Sequence, residues 1–415
     1  MEPSPARPAA LAFILVTVVL DVLAFGIVIP VLPKLVEQFM GGDTPRAAQI
    51  YGVFGTAWAL MQFVCAPIHG MLSDRFGRRP LILMSCFGLG LDFLLMALAP
   101  SLWWLFAGRV ISGIMAASFS TAAAYVADVT PQAQRAAAFG MIGAAWGFGF
   151  VVGPALGGVL GGIAPRLPFW VAAGLCMANA AYGYFVLPES LPRERRSAFS
   201  LKKANPVGSL VLLRSHPELF GLAVVYALAM LAHLVFPSVF VLYAGYRYHW
   251  SAVTVGLTLT LVGVCSIAVA GLVKLAVARL GERRTLLLGL AFAAAEYAWI
   301  GLAPTSVAVW IGIVLLSPAG LYSAALQGLM TRRVSPTEQG QLQGANGSMQ
   351  GIVGMIGPGL FTLSLAHFIA PGRDWVLPGA PFLLAAALAA GSLLLAWRVT
   401  RTRATAVVPR PEAAS

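Results

Sequence analysis

Apolar runs of about 20 residues recur from one end of the chain to the other, broken by Pro, Gly and short charged clusters. A helix needs about 20 mostly apolar residues to cross the hydrocarbon core of a bilayer. Twelve stretches meet that length, near 10–34, 49–71, 80–99, 102–126, 138–162, 167–187, 218–243, 251–275, 285–303, 305–329, 341–369 and 378–398. They predict an all-α integral membrane protein of twelve transmembrane helices in two pseudo-symmetric six-helix bundles. Pro100 and Pro304 mark tight outer hairpins. The one long polar stretch, 188–217, carries Arg193, Glu194, Arg195, Arg196, Lys202, Lys203 and Arg214 and divides the spans six plus six. The expected organisation is an N-terminal bundle over 1–187, a cytoplasmic central loop over 188–217, a C-terminal bundle over 218–399 and a cytoplasmic tail over 400–415.

Composition agrees. Of 415 residues, 59% are hydrophobic and 10% charged, against about 25% charged in soluble domains. Mean hydropathy is +0.84. These values exclude a soluble globular protein, a disordered chain and a disulfide scaffold. Cys65, Cys86, Cys176 and Cys265 lie inside apolar stretches and read as small core residues. The first span lacks a cleavable signal pattern and is expected to stay in the mature protein.

The net charge of +12 is informative through its distribution. With the N-terminus placed inside, 21 of the 27 Lys and Arg fall in inner segments and five in outer ones, while Arg109 lies within a span. That bias predicts that both termini are cytoplasmic. It also accounts for the high pI with no nucleic-acid partner.

The chain repeats itself. In one gap-free register of 204 residues, Gly52 falls on Gly256, Arg75 on Arg279, Gly77 on Gly281, Arg79 on Arg283, Pro100 on Pro304, Asp92 on Glu296 and Gly153-Pro154 on Gly357-Pro358. Two halves related by an axis along the membrane normal are the parallel-repeat arrangement of large secondary transporters, with a binding site between the halves near the midplane.

Two motifs narrow the class. Between spans 2 and 3 stands Gly70-Met71-Leu72-Ser73-Asp74-Arg75-Phe76-Gly77-Arg78-Arg79, which resembles the loop signature of the major facilitator superfamily. In span 5, Gly140, Gly149, Gly153, Pro154, Gly157 and Gly158 stand at fixed spacing and resemble the antiporter motif of drug/proton exchangers in that superfamily. Glycines so spaced leave a smooth face for close helix contact, and Pro154 frees a carbonyl. Gly26-Ile27-Val28-Ile29-Pro30-Val31-Leu32-Pro33, Ala59-Leu60-Met61-Gln62-Phe63, Leu187-Pro188-Glu189-Ser190 and Gln339-Gly340-Gln341-Leu342-Gln343-Gly344 extend the likeness to the bacterial tetracycline efflux proteins.

The resemblance implies that Gly70, Asp74, Arg75, Gly77, Arg78 and Arg79 latch one half against the other; the alternative is a solubilising turn. The second-half copy of this loop is degraded, with Ala278 for Asp74 and Glu282 for Arg78. There are other departures. The position of the family's span-9 acid is Ala293, with Glu296 three residues on, and the span-8 histidine and glutamine become Cys265 and Val269. These bear on the substrate more than on export.

An ionisable group at mid-membrane costs roughly 2.5–3.5 kcal/mol on insertion scales and is a functional candidate by default. Four such groups occur: Asp21, Asp92, Arg109 and Glu296. The hairpin at Pro100 brings Asp92 and Arg109 to similar depth, as an ion pair or in a shared wet cavity. A carboxyl in a low-dielectric cavity can hold a proton near neutral pH, and a nearby cation expels it. These four residues are the expected proton-coupling set; the alternative for each is a structural role.

Gln62 and Gln327 can bind substrate or join helices. Trp58, Phe63, Trp146, Tyr226, Phe236, Tyr297 and Met330 are candidates for an apolar drug cavity. His233 can titrate or serve as a core histidine. The chain has no His-Glu-x-x-His, no nucleotide-binding Gly-x-x-x-x-Gly-Lys-Ser/Thr loop and no Gly-x-Ser-x-Gly elbow. Energy is therefore expected from an ion gradient, with no cofactor and no resident metal. The reading is a proton-coupled multidrug or tetracycline-type exporter of a bacterial inner membrane, working as a monomer in the lipid bilayer on a small lipophilic drug. By family resemblance, the drug can arrive as a metal chelate. The alternatives are a proton-coupled metabolite or sugar transporter of the same fold, or a transport-inactive membrane sensor.

Overall fold

The computed structural model describes residues 7–116, 118–196, 212–213, 217–335, 338–372 and 375–401. Most of the expected central loop, including Lys202, Lys203 and Arg214, and the tail from 402 onward lie outside the described residues. Within the described residues the chain is helical, with no strand.

In chain order the helices are α1 Arg7–Val28, α2 Leu32–Phe39, α3 Thr44–Phe76, α4 Arg78–Leu98, α5 Leu102–Met115, α6 Ser118–Val129, α7 Arg135–Ile163 and α8 Leu167–Val186 in the first half. The second half holds α9 Pro217–His233, α10 Val235–Tyr248, α11 Ala252–Leu302, α12 Ser306–Leu316, α13 Leu321–Thr331, α14 Gln339–Phe368 and α15 Ala380–Arg401. Joined across short breaks, they give 11 helices long and apolar enough to cross a membrane. At 1.5 Å per residue, the 51 residues of α11 run to about 75 Å, more than twice the ~30 Å hydrocarbon core. This helix breaks at Gly281, where φ is 76° and ψ 159°. Two crossings on either side of that break are compatible with the twelve read from the sequence.

The repeat is visible in the backbone. Gly77, 204 residues before Gly281, has φ 108° and ψ 159°. A positive φ of this kind is open to glycine and costly for other residues. Helices α7 and α14 start at Arg135 and Gln339, and α5 and α12 at Leu102 and Ser306, in the same register.

Four spans are interrupted, and they fall at every third position: spans 1, 4, 7 and 10. Span 1 breaks into a turn around Pro30, where the amides of Ile29 and Val31 donate to the carbonyls of Gly26 and Val28. In span 4, α5 ends at Met115 with Ala116 in a turn. Span 7 breaks at Leu234, three residues before Pro237, and span 10 passes through a 3-10 turn at Ser317–Gly320 that contains Pro318. Proline removes a donor and disfavours helical backbone before it. Such breaks are tolerated at membrane depth where protein buries them or a cavity meets them.

Each half has its own packed interior. Phe93, Met96, Phe169 and Cys176 pack with Val28 and Leu32 in the first half, and Phe240, Tyr243, Phe361 and Phe382 pack together in the second. Tyr297 and Met330, expected at a drug cavity, are 3% and 0% exposed and belong to the second half's packed clusters. The ring of Phe236 packs against Phe240, Tyr297 and Phe382. Phe236 and Tyr297 fill the space among spans 7, 9 and 12, and Met330 packs with Leu219, Leu286 and Leu342 in a separate cluster.

The halves meet along two seams. In one, α3 lies against α14: the Thr56 hydroxyl donates to the Met355 carbonyl at 3.0 Å, and Gly52 abuts Thr362. In the other, α7 lies against α11: the Thr260 hydroxyl donates to the Val151 carbonyl at 2.8 Å. A Cβ on Gly158 would stand 2.6 Å from the Ala252 carbonyl oxygen and 3.1 Å from Cα of Gly256. Both seams lie toward the end of the molecule that carries the Pro100 and Pro304 hairpins. Toward the other, basic end they open, and Gly70, Gly143 and Gly271 have no neighbour within 4 Å of a would-be Cβ. The halves thus enclose a cleft that is shut at the hairpin end and open at the basic end.

Leucine at Gly158 should force the α7–α11 seam apart at a cost of roughly 1–3 kcal/mol, the usual range for overpacking. Disulfide trapping of a Val151→Cys/Thr260→Cys pair, which spans that seam, should then fall several-fold, while Gly143→Leu should leave it unchanged. Equal trapping in both would contradict the seam.

Candidate functional site

Aromatic rings from three helices of the first half stand together at the level where the seams end. Phe25 of α1 stacks on Trp58 of α3 with ring centroids 6.0 Å apart. Phe150 of α7 meets Phe25 edge-on and stacks on Trp146 at 5.7 Å. Behind this wall, the guanidinium of Arg109 on α5 lies 5.3 Å from the Trp58 ring centroid. A cation over an indole face gains roughly 0.5–2 kcal/mol as the site dries. Gly113 makes the approach possible, because a Cβ there would stand 2.8 Å from Cβ of Met61 and press on the Trp58 backbone. The wall is therefore flat, polarizable and backed by a fixed positive charge.

The three intramembrane acids occupy different settings. Asp92 is 1% exposed, and neither carboxyl oxygen has a well-formed hydrogen bond. The Pro100 hairpin does bring it level with Gly108 and Arg109: a Cβ on Gly108 would stand 2.8 Å from the Asp92 carboxyl. Arg109 is within electrostatic reach of both Asp92 and Tyr51. The two charges nonetheless stop short of a direct ion pair, since the guanidinium turns to the Trp58 face.

Asp21 is 5% exposed, on the side of α1 turned toward α4 and α8. The Asn179 amide donates to its Oδ1 at 2.9 Å and to the Thr17 carbonyl at 3.0 Å, and the Cys86 thiol lies 3.6 Å from the same carboxyl. Asp21 therefore sits inside the first bundle and not on the cleft wall. Asn179, 0% exposed, was missed by sequence reasoning; a lone amide in the apolar run of span 6 was the available signal.

Glu296 is the second half's counterpart. It is 9% exposed and lies on the arm of α11 after Gly281, within electrostatic reach of Cys265 on the other arm and of Tyr322 on α13. Ala293, at the resembling family's acid position, is 2% exposed in the packed core.

The loop motif forms a closed polar network at the basic end of the first half. Arg78 pairs with Asp74 and, through Nε at 3.2 Å, with Asp128. Its amide donates to Glu189 at 2.9 Å, and the Arg79 guanidinium donates to the Tyr184 carbonyl. Arg75 covers the ring of Phe76. Gly70 stands free in the open cleft mouth. Every described partner of Asp74, Arg78 and Arg79 lies in the first half or, as Glu189, at the start of the segment that follows it, so the motif does not bridge the halves in this conformation.

The glycines of the span-5 motif divide their work. Gly149, Gly153 and Gly157 form one stripe against Val22, Gly26 and Ile27 of α1, and a Cβ on Gly153 would stand 2.7 Å from Cα of Gly26. Gly158, one position round the helix, faces the other half; Gly140 meets nothing. Pro154 lies within α7 without ending it. Of the polar candidates, Gln327 accepts a hydrogen bond from Asn346 at 3.0 Å and joins α13 to α14. Gln62, Phe63 and Tyr226 are half-buried, and His233 is exposed at the break in span 7. Phe63 closes on Gly351 at the end of the α3–α14 seam.

An all-helical pair of bundles around a central cleft, with broken helices at every third span and acids buried in both halves, defines a multi-pass membrane transporter. The family model described as Major Facilitator Superfamily matches residues 14–358 and, separately, 222–414, and the chain belongs to that superfamily, a family of transporters and not of enzymes. It is 37% identical over 378 residues to the class C tetracycline resistance protein of Escherichia coli, covering 90% of this chain and 95% of the relative. It is 33% identical to the class H protein of Pasteurella multocida, covering 89% and 92%. Among solved structures, a bacterial homolog of the human lysosomal transporter Spinster, inward-facing and occupied, superposes with a TM-score of 0.77 at 16% identity, covering 97% of this chain and 98% of that one. The human organic anion transporter MFSD10 (TETRAN) gives 0.69 at 23%, covering 95% and 100%. At these identities, the structures speak for the fold.

Replacing Asn179 by Leu leaves the Asp21 carboxyl without its amide donor. It should lower stability by roughly 1–3 kcal/mol, the range for a lost hydrogen bond to a buried carboxyl. A lower thermal unfolding temperature in detergent, restored when Asp21→Asn is added, checks the pairing; a fall with no restoration would contradict it.

Proposed function

We propose that the chain exports a lipophilic, drug-like molecule in exchange for protons across a bacterial inner membrane, with both termini cytoplasmic and one chain as the working unit. The observation that carries the reading is the likeness to tetracycline resistance proteins at 33–37% identity along 87–90% of the chain. The cleft supports it. An aromatic wall of Phe25, Trp58, Phe150 and Trp146 suits a flat, hydrophobic ring system, and a cleft open at the basic end admits substrate from the cytoplasmic leaflet.

In this mechanism, proton and substrate favour opposite states of one conformational equilibrium. Asp21 and Asp92 in the first half and Glu296 in the second exchange protons as the cleft changes sides. Arg109, fixed between Asp92 and Trp58, couples the acid to the wall that the substrate touches. The Asp74–Arg78–Asp128 network holds the basic end of the first half rigid and offers Asp74, 45% exposed, to the opposing half when the cleft mouth closes. One charge moving through 100 mV supplies about 2.3 kcal/mol, more than a tenfold gradient. No cofactor enters the cycle; a metal ion carried by a chelating drug is cargo.

One observation favours a drug other than tetracycline. Where the resembling exporters have an acid, a histidine and a glutamine, this chain has Ala293, Cys265 and Val269, and its acid is moved one helical turn to Glu296. Of the three only Cys265 is partly exposed, so the change that reaches the cleft is a thiol in place of an imidazole, which suits a less polar substrate.

Resistance profiling in a drug-sensitive bacterial host tests the reading: raised tolerance to hydrophobic ring drugs, abolished by a protonophore, is expected, and an unchanged profile would contradict it. In inverted vesicles, Glu296→Gln should lower drug-driven proton movement at least tenfold while drug binding persists; unaltered proton movement would make the acid structural. Cys265→His places an imidazole beside Glu296 and should shift tolerance toward tetracycline; an identical profile would remove that position from substrate selection.

A further inference from the structure

On the outer face of the second half, away from the cleft, a groove of about 630 Å³ runs between the arm of α11 after Gly281 and α15. Its sides are Leu287, Leu288, Ala291, Leu393, Leu394 and Trp397, and Arg284 stands at its basic end. Three features set it apart from ordinary lipid-facing surface. First, Arg284 is exposed and has no hydrogen bond or ion pair among the described residues. Glu282, the acid in the same turn, is already engaged by Arg332 at 3.0 Å. Second, further cations gather there. Arg283 donates to the Thr400 hydroxyl at 3.1 Å, and Arg401 lies 4.8 Å from the Trp397 ring centroid. Third, Arg283 and Arg284 occupy the first turn of a helix that restarts after Gly281, where the helix dipole favours an anion and disfavours these cations.

We propose that this groove binds an anionic phospholipid of the surrounding bilayer, its phosphate on Arg284 and one acyl chain along the leucines. The dimensions suit it. From Arg284 to Ala291 the helix rises about 10 Å, within the ~15 Å of one leaflet's hydrocarbon. The basic end of the groove lies at headgroup depth, where an interfacial Trp such as Trp397 is at home. A basic pocket between helices on the cytoplasmic side is a recognised setting for lipid phosphates. The site tethers span 9, which carries Glu296, to span 12 through a lipid, and it is independent of which drug the cleft takes.

The test is native mass spectrometry of the full chain after exchange into equimolar phosphatidylglycerol and phosphatidylcholine. Wild type should retain phosphatidylglycerol about fivefold over phosphatidylcholine, the discrimination expected for one interfacial arginine. Arg284→Gln should bring the ratio near one, and Ala291→Trp, which fills the groove, should reduce retention of both lipids. Lys274→Gln, an exposed cation on the other arm of α11, should leave the ratio unchanged. An even ratio in wild type, a preference that survives Arg284→Gln, or an equal fall in Lys274→Gln would overturn the proposal.

Discussion

Lipid offers two helical bundles no hydrophobic reason to associate, so they hold together only where their backbones come close enough for dense van der Waals contact. Small residues, glycine above all, allow that distance. At the α7–α11 seam, Gly158 and Gly256 stand so close that a single added methyl would collide with backbone, and inside the first half Gly153 and Gly26 repeat the arrangement between α7 and α1. The same helix therefore carries two glycine faces one position apart. One welds α7 to its own bundle, and the other touches the opposite bundle without being welded to it. Individual contacts of this kind are weak, and a seam built from them can close at one end of a cleft and part at the other at modest cost.

The buried charges make sense against that construction. Asp21, held by Asn179 between α1, α4 and α8, belongs to the welded part of the first half. Asp92 lies level with Arg109, but the guanidinium is drawn to the face of Trp58, so the acid, the cation and the aromatic wall form a chain from bundle interior to cleft. Glu296 sits beyond the Gly281 break among Cys265 and Tyr322. The repeat has thus produced paired acids whose surroundings have diverged, the first-half acid beside a cation and the second-half one beside a thiol and a phenol.

Much of this was legible in the sequence because membrane crossing leaves a strong local imprint. Spans, hairpins at Pro100 and Pro304, and the 204-residue repeat follow from apolar run length and from Pro and Gly, and the backbone at Gly77 and Gly281 follows that register. The shared depth of Asp92 and Arg109 came from counting residues on either side of a turn. What was not legible depended on which way a side chain points. Tyr297 and Met330 resemble cavity residues by composition yet pack inward, Gln327 finds Asn346 on another span, and Asn179 is recognisable as Asp21's partner only once spans 1 and 6 are side by side. The breaks in spans 1, 7 and 10 were written in Pro30, Pro237 and Pro318, but their recurrence at every third span needed the assembled helices.

The central claim is that the glycine seams are one half of a two-state closure driven by protons and drug. Its most direct test is the distance between spin labels at Gly143 and Gly271, which continue the α7–α11 seam into the open end, measured by double electron–electron resonance in liposomes. A proton gradient with drug present should add a population with these labels drawn together while labels on the hairpin end move apart. A single unchanged distance at both ends, in liposomes that transport, would contradict the account.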